Sequence, residues 1–473
     1  MTRSNTNKII AKFSGKRILI LGFGLEGQSS LRFLQPLLPN AQFVISDQLP
    51  LNKWSKNQLA QTQNNPQVNI YAGDSYLESL DLCDVIIKTP GIPYLRQLIQ
   101  AEIKGKLITS NVQLFLETVE GKVIGVTGTK GKSTTASVTY HILKHAGLRP
   151  ILAGNIGRPT LPLILEDNPG KIYVLELSSH QLRTVSISPH IAIFMNFYPE
   201  HLDYNQTLEE YFSSKANITL FQTPNDYFIY NLDFAQIVAL AEKTQAQAKG
   251  FSLSPQAQAE VYLENDSIKD KAGKVIARTD SLALKGKATQ NYLPAILVSQ
   301  IYNISPDLLS SALKTYKPLQ GHFPQIVGIY KRVTFVDDPL STIPETTMLA
   351  VDSLGDRVQT LFLGGHERNL DYSGLAEYIL NHPHIENLIL FPITGERTGQ
   401  LIKSLSIKLD LQAPSLYSAP NMRRGVEIAY EVTQPDQIAL MSPGATSFSM
   451  FKDYKHRSNR FKFWVKKLGR NLD

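Results

Sequence analysis

Gly125-Val-Thr-Gly-Thr-Lys-Gly-Lys-Ser-Thr-Thr135 is the stretch that decides the fold, because it joins an apolar run to a helical pattern. Residues 122–126 predict a short buried strand before it, and apolar residues at helical spacing in 136–146 predict a helix after it. A glycine loop between a strand and a helix directs backbone N–H groups at a phosphate, and the helix N-terminus adds partial positive charge. We therefore interpret this stretch as an ATP site.

Two side chains of this loop have the chemistry that phosphate binding needs. Lys132 is expected to reach the terminal phosphates, and the Ser133 hydroxyl is expected to bind Mg²⁺. Val126 stands where the usual phosphate-loop spacing has its first glycine. A plain glycine turn is the alternative, and the added Lys-Ser-Thr disfavours it. The predicted ATP-binding residues of the loop are Gly128, Thr129, Lys130, Gly131, Lys132, Ser133 and Thr134.

The composition is that of a soluble globular protein, with 42% hydrophobic and 19% charged residues in 473. At roughly 150 residues per domain, this length predicts about three domains. No run of 18 apolar residues occurs, so we expect no membrane insertion, and the first residues lack the apolar segment of a secretory signal. The single cysteine, Cys83, cannot form an internal disulfide, which favours a cytoplasmic protein.

The whole chain has a net charge of +7, and its basic residues concentrate near the C-terminus. They are Lys452, Lys455, His456, Arg457, Arg460, Lys462, Lys466 and Lys467. Apolar and aromatic residues alternate with them and predict a buried stripe of Phe451, Tyr454, Phe461, Trp464 and Val465. We therefore interpret the basic residues as a solvated helix face and expect no nucleic-acid partner. A basic surface also suits small polyanionic substrates such as nucleotides.

A second glycine loop lies near the start of the chain. Residues 16–22 predict a buried strand that leads into Gly22-Phe-Gly24-Leu-Glu-Gly27, and the next strand ends at Asp47. This is the dinucleotide-binding pattern, so a nicotinamide oxidoreductase is the first interpretation. The later phosphate loop argues against it and favours one site for a nucleotide-linked substrate and another for ATP. A loop that binds nothing is the remaining alternative.

Polar side chains follow two further predicted strands of the central region. Glu176 lies at the end of strand 172–177, and His201 follows strand 190–196. Because open parallel sheets bind ligands beyond the carboxyl ends of their strands, both are expected to complete a Mg²⁺ shell with Ser133. Lys215, on a predicted helix at 208–220, has by itself the pattern of a solvated surface lysine.

The last third repeats the same organisation of strands followed by polar loops. Strand 333–336 leads to Asp337–Thr342, strand 360–363 leads to Gly364–Arg368, and a strand at 437–441 leads to residues 442–448. The predicted fold class is therefore α/β, as three consecutive α/β domains. Their predicted boundaries are 1–118, 119–318 and 319–473.

Six motifs in this order resemble those of the Mur ligases, most closely the glutamate-adding MurD type. They are Thr127–Thr134, Gly154–Gly157, Glu176–Gln181, Glu200–Asp203, Gly364-Gly365 and Ser442–Ser447. The resemblance implies a Rossmann-like UDP-binding domain, a central P-loop ATPase domain and a Rossmann-like C-terminal domain. It implies a cytoplasmic enzyme of peptidoglycan precursor synthesis that uses ATP and Mg²⁺ to join UDP-N-acetylmuramoyl-L-alanine and glutamate through an acyl phosphate. We expect a monomer.

The resemblance also assigns residues. It implies that Lys132, Glu176, His201 and Lys215 are catalytic, and that the metal is held by Ser133, Glu176, His201 and a carbamylated Lys215. It adds Asn291 and Asp338 to the ATP contacts. For the UDP substrate it implies Gly22, Gly24, Gly27, Asp47, Asn155 and His201. For glutamate we expect Thr342, Arg368, Ser447, Phe448 and Tyr454.

Three departures from the common pattern bear on the substrate. Phe323 replaces an arginine near ATP, and Lys287-Ala288 replaces a His-Asn pair of the adenine pocket. Leu340 occupies a position where the D-glutamate-adding members of the family have a lysine. The resemblance therefore favours the variant that adds L-glutamate. The alternative is an ordinary D-glutamate ligase in which Arg368 supplies the charge. A non-catalytic nucleotide-binding partner protein and a folate-type polyglutamate ligase are more distant alternatives.

Overall fold

The computed structural model describes residues 3–198, 207–284, 286–318, 324–368, 370–448 and 450–470. The chain divides into two compact units, one of Met1–Ala277 with Asn291–Leu313 and one of Arg278–Gln290 with Lys314–Asp473. The first unit contains two sheets and the second contains one. The predicted fold class, three successive α/β domains, is confirmed, whereas the boundaries at 118 and 318 remain predictions.

The first sheet has five parallel strands in the order β3-β2-β1-β4-β5. Its strands are β1 (Ile18–Leu21), β2 (Phe43–Asp47), β3 (Val68–Ala72), β4 (Val85–Lys88) and β5 (Leu107–Thr109). The helices are α1 (Arg3–Phe13), α2 (Leu25–Leu37), α3 (Lys56–Thr62), α4 (Arg96–Ile103) and α5 (Asn111–Thr118). All four residues of β1 and of β4 are buried, as expected for central strands that have helices on both faces.

The second sheet has nine strands in the order β14-β13-β12-β11-β10-β9-β6-β8-β7. They are β6 (Lys122–Thr127), β7 (Pro150–Gly154), β8 (Ile172–Glu176), β9 (Ile191–Phe194), β10 (Tyr227–Asn231), β11 (Gln247–Ser252), β12 (Ala259–Glu264), β13 (Ser267–Asp270) and β14 (Val275–Arg278). The helices are α6 (Lys132–His145), α7 (Ser179–Leu182), α8 (Leu208–Leu220), α9 (Ala235–Ala241), α10 (Leu293–Ile301) and α11 (Pro306–Thr315). The strands from β7 to β12 pair in parallel, and the β12–β13 hairpin is antiparallel.

One hydrophobic core joins the two sheets of the first unit. It runs from Ile9 and Phe13 on α1, through Phe115 on α5, to Tyr173 on β8. The rings of Phe115 and Tyr173 meet edge to face with centroids 5.0 Å apart. This shared core fixes the glycine loop after β1 relative to the loops of the second sheet.

The third sheet has six strands in the order β15-β16-β20-β17-β18-β19, parallel except for the β15–β16 hairpin. They are β15 (Gln325–Tyr330), β16 (Val333–Asp337), β17 (Val358–Gly365), β18 (Asn387–Ile393), β19 (Ser415–Ser418) and β20 (Ile438–Met441). The helices are α12 (Pro344–Leu354), α13 (Ser373–Leu380), α14 (Thr394–Leu409), α15 (Met422–Val432) and α16 (Tyr454–Arg470). Separate apolar clusters fill the two faces of this sheet. Among the helices that the structure describes, none has the length and apolarity to span a membrane.

Candidate functional site

The candidate site lies at the carboxyl ends of three neighbouring strands of the second sheet. β6 lies between β8 and β9, and all three run in parallel. Val126 is in register with Glu176, and Thr127 is in register with Phe194. The segments that follow these strands therefore meet at one edge, where open parallel sheets bind ligands.

The phosphate loop has the backbone that its glycines predict. Gly128 and Gly131 have φ of +148° and +81°, and Gly131 is the N-cap of α6. A Cβ atom at Gly131 would collide with the Asn291 side-chain oxygen. That same oxygen accepts a hydrogen bond from the Thr135 hydroxyl at 3.1 Å. The structure thus places Asn291, a predicted ATP contact, directly against the loop.

Asn196 braces the loop and was not among the predicted site residues. Its Oδ1 accepts from the Lys130 backbone N–H at 2.8 Å, and its Nδ2 donates to the Lys130 carbonyl at 3.0 Å. The Asn196 carbonyl accepts from the Thr129 N–H at 3.0 Å. The available signal was its position just after β9, the same kind of position that identified Glu176.

Glu176 is 2% exposed and joins two other predicted site residues. Its Oε2 accepts from the Ser133 hydroxyl at 2.5 Å, and its Oε1 accepts from Asn155 Nδ2 at 2.9 Å. A buried carboxylate needs hydrogen-bond donors or a cation to offset its loss of solvation. The structure therefore brings Ser133, Glu176 and Asn155 together at the start of α6; the strand ends predicted the proximity of Ser133 and Glu176, and Asn155 was expected near the UDP substrate from the resemblance.

Two lysine side chains donate to carbonyls of the phosphate loop, one from the start of α6 and one from α8. Lys132 Nζ donates to the carbonyls of Gly128 and Thr129 at 3.0 and 2.9 Å. Lys215, on α8, is only 1% exposed, so the sequence-based expectation of a solvated lysine was wrong. Its Nζ donates to the Gly128 carbonyl at 2.8 Å and lies 4.6 Å from the centroid of the Tyr211 ring. The helical period turns Lys215 toward the sheet, which a local pattern of polar neighbours did not indicate.

The donor set fits a hard divalent cation in part. The Ser133 hydroxyl and Glu176 carboxylate are adjacent oxygen donors in a buried setting, which is the ligand chemistry that Mg²⁺ prefers. Within the described ranges, no three His, Cys, Asp or Glu side chains cluster as a complete metal site. His201, the other predicted ligand, lies outside the described residues.

The first glycine loop is held by its own acidic residue. Gly22 has φ of +91°, and its N–H donates to the Ser46 carbonyl at 2.6 Å. Asp47 accepts backbone N–H bonds from Phe23 at 2.6 Å and from Leu49 at 2.7 Å. Gly24 is the N-cap of α2, and Gly27 lies on its first turn against Gly22. Each Asp47 oxygen accepts a backbone N–H, so this carboxylate shapes the loop.

A buried lysine lies beside this loop and was not predicted as a site residue. Lys88 ends β4, is 2% exposed, and donates to the Thr89 carbonyl at 3.2 Å. Burial, reinforced by nearby Arg183, lowers the pKa of Lys88 to about 7, against a smaller opposing effect of Glu26. Burial raises the pKa of Glu26, whose Oε1 accepts from Gln181 Nε2 on α7 at 2.9 Å. Charged groups of both sheets of the first unit therefore converge next to the glycine loop.

Replacing Lys88 with methionine is expected to raise the free energy of unfolding at about pH 6 and to change it little at about pH 10. Below about pH 7 both folded and unfolded chains carry the ammonium, so the folded state bears the full cost of burying it. Between pH values equal to the folded-state pKa of Lys88, about 7, and its usual pKa of 10.5, Lys88 keeps its proton in the unfolded chain and loses it in the folded chain. Wild-type stability therefore rises with pH there, by up to roughly 1.4 kcal/mol per unit. Denaturant unfolding of Lys88→Met at both pH values measures this, with the exposed Lys104→Met as control. A stability difference that is equal at both pH values would contradict it.

In the second unit, three predicted loops follow neighbouring strands. β20 lies between β16 and β17, so the loops after Asp337, Met441 and Gly365 meet at one sheet edge. The Gly364 N–H donates to the Pro443 carbonyl at 2.9 Å, and the His366 N–H donates to the Thr446 carbonyl at 2.8 Å. The structure therefore brings together the segments that carry the predicted glutamate residues.

The predicted glutamate residues differ in exposure. Ser447 is buried, Thr342 and Arg368 are half-buried, whereas Phe448 is 69% exposed and Tyr454 is also exposed. Asp338, predicted near ATP, belongs to this unit and accepts from the Ser442 hydroxyl at 2.8 Å. Leu340 is half-buried in the loop between Asp338 and α12. Phe323 and the Lys287 side chain lie outside the described residues, so those departures stay as predictions.

The basic run on α16 was predicted correctly only in part. Phe461 and Val465 are buried as expected, but Tyr454 is exposed and Arg457 is 2% exposed. The exposed residues of α16 nearest Arg457 include His456 and Arg460. Arg457 instead donates to the carbonyls of Ala445 and Pro339, and its burial contradicts the expectation that the basic residues of the run form a solvated face.

Comparisons with known proteins find similarity to one family of enzymes. Residues 126–304 match the model of the Mur ligase middle domain. A UDP-N-acetylmuramoylalanine--D-glutamate ligase of Geobacillus kaustophilus (strain HTA426) is 29% identical over 459 residues, which cover 96% of this chain and 98% of the relative. A ligase of the same name from Bacillus thuringiensis (strain Al Hakam) is 29% identical over 98% of this chain and 100% of its own length.

Solved structures share the fold at low sequence identity. The MurF ligase of Thermotoga maritima in complex with ADP has a TM-score of 0.58 at 15% identity, covering 96% of this chain and 95% of its own. The UDP-N-acetylmuramate-alanine ligase MurC of the same organism has a TM-score of 0.57 at 16% identity, with coverage of 96% and 100%. With the phosphate loop and its buried Glu176 already in place, these similarities identify residues 126–304 as a Mur ligase middle domain and show that the chain resembles the Mur ligases, which are ADP-forming amide ligases, over nearly its whole length.

Proposed function

We propose that the chain joins D-glutamate to UDP-N-acetylmuramoyl-L-alanine at the expense of ATP, in the cytoplasmic stage of peptidoglycan precursor synthesis. The observation that carries this proposal is similarity over 96% of the chain to a relative named as a D-glutamate ligase. The similarity covers the first glycine loop, the phosphate loop and the third sheet, so substrate-binding parts are included as well as the ATP site.

The chemistry assigns separate tasks to the residues of the first unit. A carboxylate oxygen of the UDP-linked substrate attacks the γ-phosphorus of ATP, the bond to ADP breaks, and an acyl phosphate forms. Lys132 and the backbone N–H groups at the start of α6 bind the transferred phosphoryl group and balance its charge. The glutamate amine then attacks the acyl carbon, loses a proton, and phosphate leaves with the electrons of the C–O bond.

Ser133 and Glu176 are the described residues that would hold Mg²⁺, and His201 and a carbamylated Lys215 are proposed to join them. When bound, Mg²⁺ supplies positive charge to the phosphate oxygens. The burial of Lys215 and its hydrogen bond to the Gly128 carbonyl support that role. Carbamylation would replace its ammonium with an anionic oxygen donor.

L-glutamate is the second candidate substrate, because Leu340 replaces the lysine expected of D-glutamate-adding members. A leucine cannot pair with the substrate carboxylate. The relatives named above are D-glutamate ligases, and they favour the D form over the L form that the sequence predicted. In the D-specific case, Arg368 is the half-buried cation of the same sheet edge that supplies the charge.

The enantiomer assay tests both candidates. The protein is mixed with UDP-N-acetylmuramoyl-L-alanine, ATP and Mg²⁺, and ADP release is followed with each glutamate enantiomer in turn. We expect release with D-glutamate at least about 100-fold faster than with L-glutamate, because a polar site rejects a misplaced carboxylate strongly. The reverse preference would establish the L-specific candidate, and no release with either enantiomer would overturn the proposed function.

A further inference from the structure

A buried guanidinium connects two of the loops at the edge of the third sheet. Arg457, on the first turn of α16, is 2% exposed. Its Nη1 donates to the Ala445 carbonyl at 2.8 Å, and its Nη2 donates to the Pro339 carbonyl at 3.1 Å. The planar guanidinium presents these donors in a fixed geometry, so it sets the separation of the two carbonyls.

The two carbonyls belong to different loops. Pro339 lies in the loop between β16 and α12, three residues before Thr342, and Ala445 lies in the loop after β20, two residues before Ser447. β16 and β20 are adjacent parallel strands, so their loops lie side by side. Both loops carry residues predicted to bind glutamate, and Arg457 bridges them in addition to the hydrogen bond from the Ser442 hydroxyl to Asp338.

Acidic groups offset the buried charge. Burial lowers the pKa of Arg457 to about 10, against the opposing charges of Asp337 and Asp338, so it stays a cation at neutral pH. Asp337, 1% exposed, accepts from the Ser458 hydroxyl and lies 3.3 Å from Lys462 Nζ. A buried charge network of this kind costs desolvation that an apolar cluster would avoid, and such networks are best attested where they specify one geometry.

We infer that Arg457 is a positioning residue, whose two hydrogen bonds hold the β16–α12 and β20–α16 loops at the spacing that forms the amino-acid subsite. The inference rests on the proposed function only for the identity of the amino acid. The fixed spacing itself is a structural property of the second unit. Arg457 contacts two backbone carbonyls and acts on substrate through the loops.

Arg457→Lys is the test variant, because an ammonium on a flexible stem reaches one carbonyl but does not span both. The matched control is Arg460→Lys, an exposed arginine one turn along the same helix. Hydrogen–deuterium exchange is expected to rise at least about fivefold in residues 338–343 and 442–448 of Arg457→Lys, with β16 and β20 unchanged. The KM for glutamate is expected to rise about tenfold, with the KM values for ATP and the UDP substrate within about twofold, since the loss of one charged hydrogen bond affects only the loops that it joins.

The outcomes separate the inference from the proposed function. Unchanged exchange in either loop, or an equal rise throughout the second unit, would overturn the positioning role whatever the activity. A wild-type protein that is inactive with both enantiomers would overturn the proposed function, while the exchange pattern still tests Arg457. If circular dichroism shows that Arg457→Lys does not fold, Arg457→Gln replaces it, since its neutral amide removes the buried charge and donates to only one loop.

Discussion

Lys132→Met is expected to lower kcat about 10³-fold and to leave the folded structure intact. The phosphoryl group gains charge on its oxygens as it transfers, and a fixed cation in the loop is the group that balances it. Lys132 is the first residue of α6, and its ammonium donates to the carbonyls of Gly128 and Thr129. The cation therefore already lies in the loop that is expected to bind phosphate. ADP release under saturating substrates measures the effect.

Lys144→Met is the control for that variant, because Lys144 is an exposed lysine near the other end of the same helix. Its rate should stay within about twofold of wild type, since exposed charges far from a site contribute little. A Lys132→Met protein that keeps more than about a tenth of wild-type kcat would refute the role of this lysine. A loss in both variants would instead indicate damage to α6.

The local elements of the candidate site were predictable because each depends on short-range rules. The strand at 122–127, the glycine loop and α6 follow from an apolar run, from glycines at positive φ and from helical spacing. The meeting of Ser133 with Glu176 was also predictable, because β6 and β8 are parallel and their carboxyl ends share an edge. Nothing beyond topology was needed for that step.

The burial of two cations was not predictable from the same rules. Lys215 and Arg457 both lie on helices rich in polar residues, and which face of a helix meets the sheet is decided by packing between distant segments. Their acceptors are backbone carbonyls, which have no signature in sequence. The burial of Lys88 was not predicted for a related reason, because a lysine at the end of a buried strand is expected to extend its ammonium into solvent.

The stereochemistry of the glutamate shows how little one substitution can decide. Leu340 indicated L-glutamate because one cation was absent at one position. The relatives favour D-glutamate, and the third sheet offers Arg368 on the loop after β17 as another cation. Charge recognition depends on where a cation lies in space, so its position in the sequence was an insufficient basis.

Glu176→Gln is expected to lower kcat at least about 10²-fold and to raise the Mg²⁺ concentration required for half-maximal activity about tenfold. The substitution keeps the shape of a 2% exposed side chain but removes its charge, the property that a divalent cation needs. It also replaces one acceptor by an amide donor, so the hydrogen bonds from Ser133 and Asn155 cannot both persist. ADP release measured over a Mg²⁺ titration separates the two effects, because lost metal affinity is restored by excess Mg²⁺ and a misplaced Ser133 is not.

The matched control for Glu176→Gln is Glu166→Gln, an exposed carboxylate paired with Arg158 at the surface. It carries the same change of charge on the same unit, so a general electrostatic effect on ATP binding would appear in both variants. If Glu176→Gln keeps a wild-type Mg²⁺ requirement, Glu176 does not hold the cation. Its buried carboxylate would then serve only to orient Ser133 and Asn155, and the Mg²⁺ ligands would have to come from other side chains of the first unit.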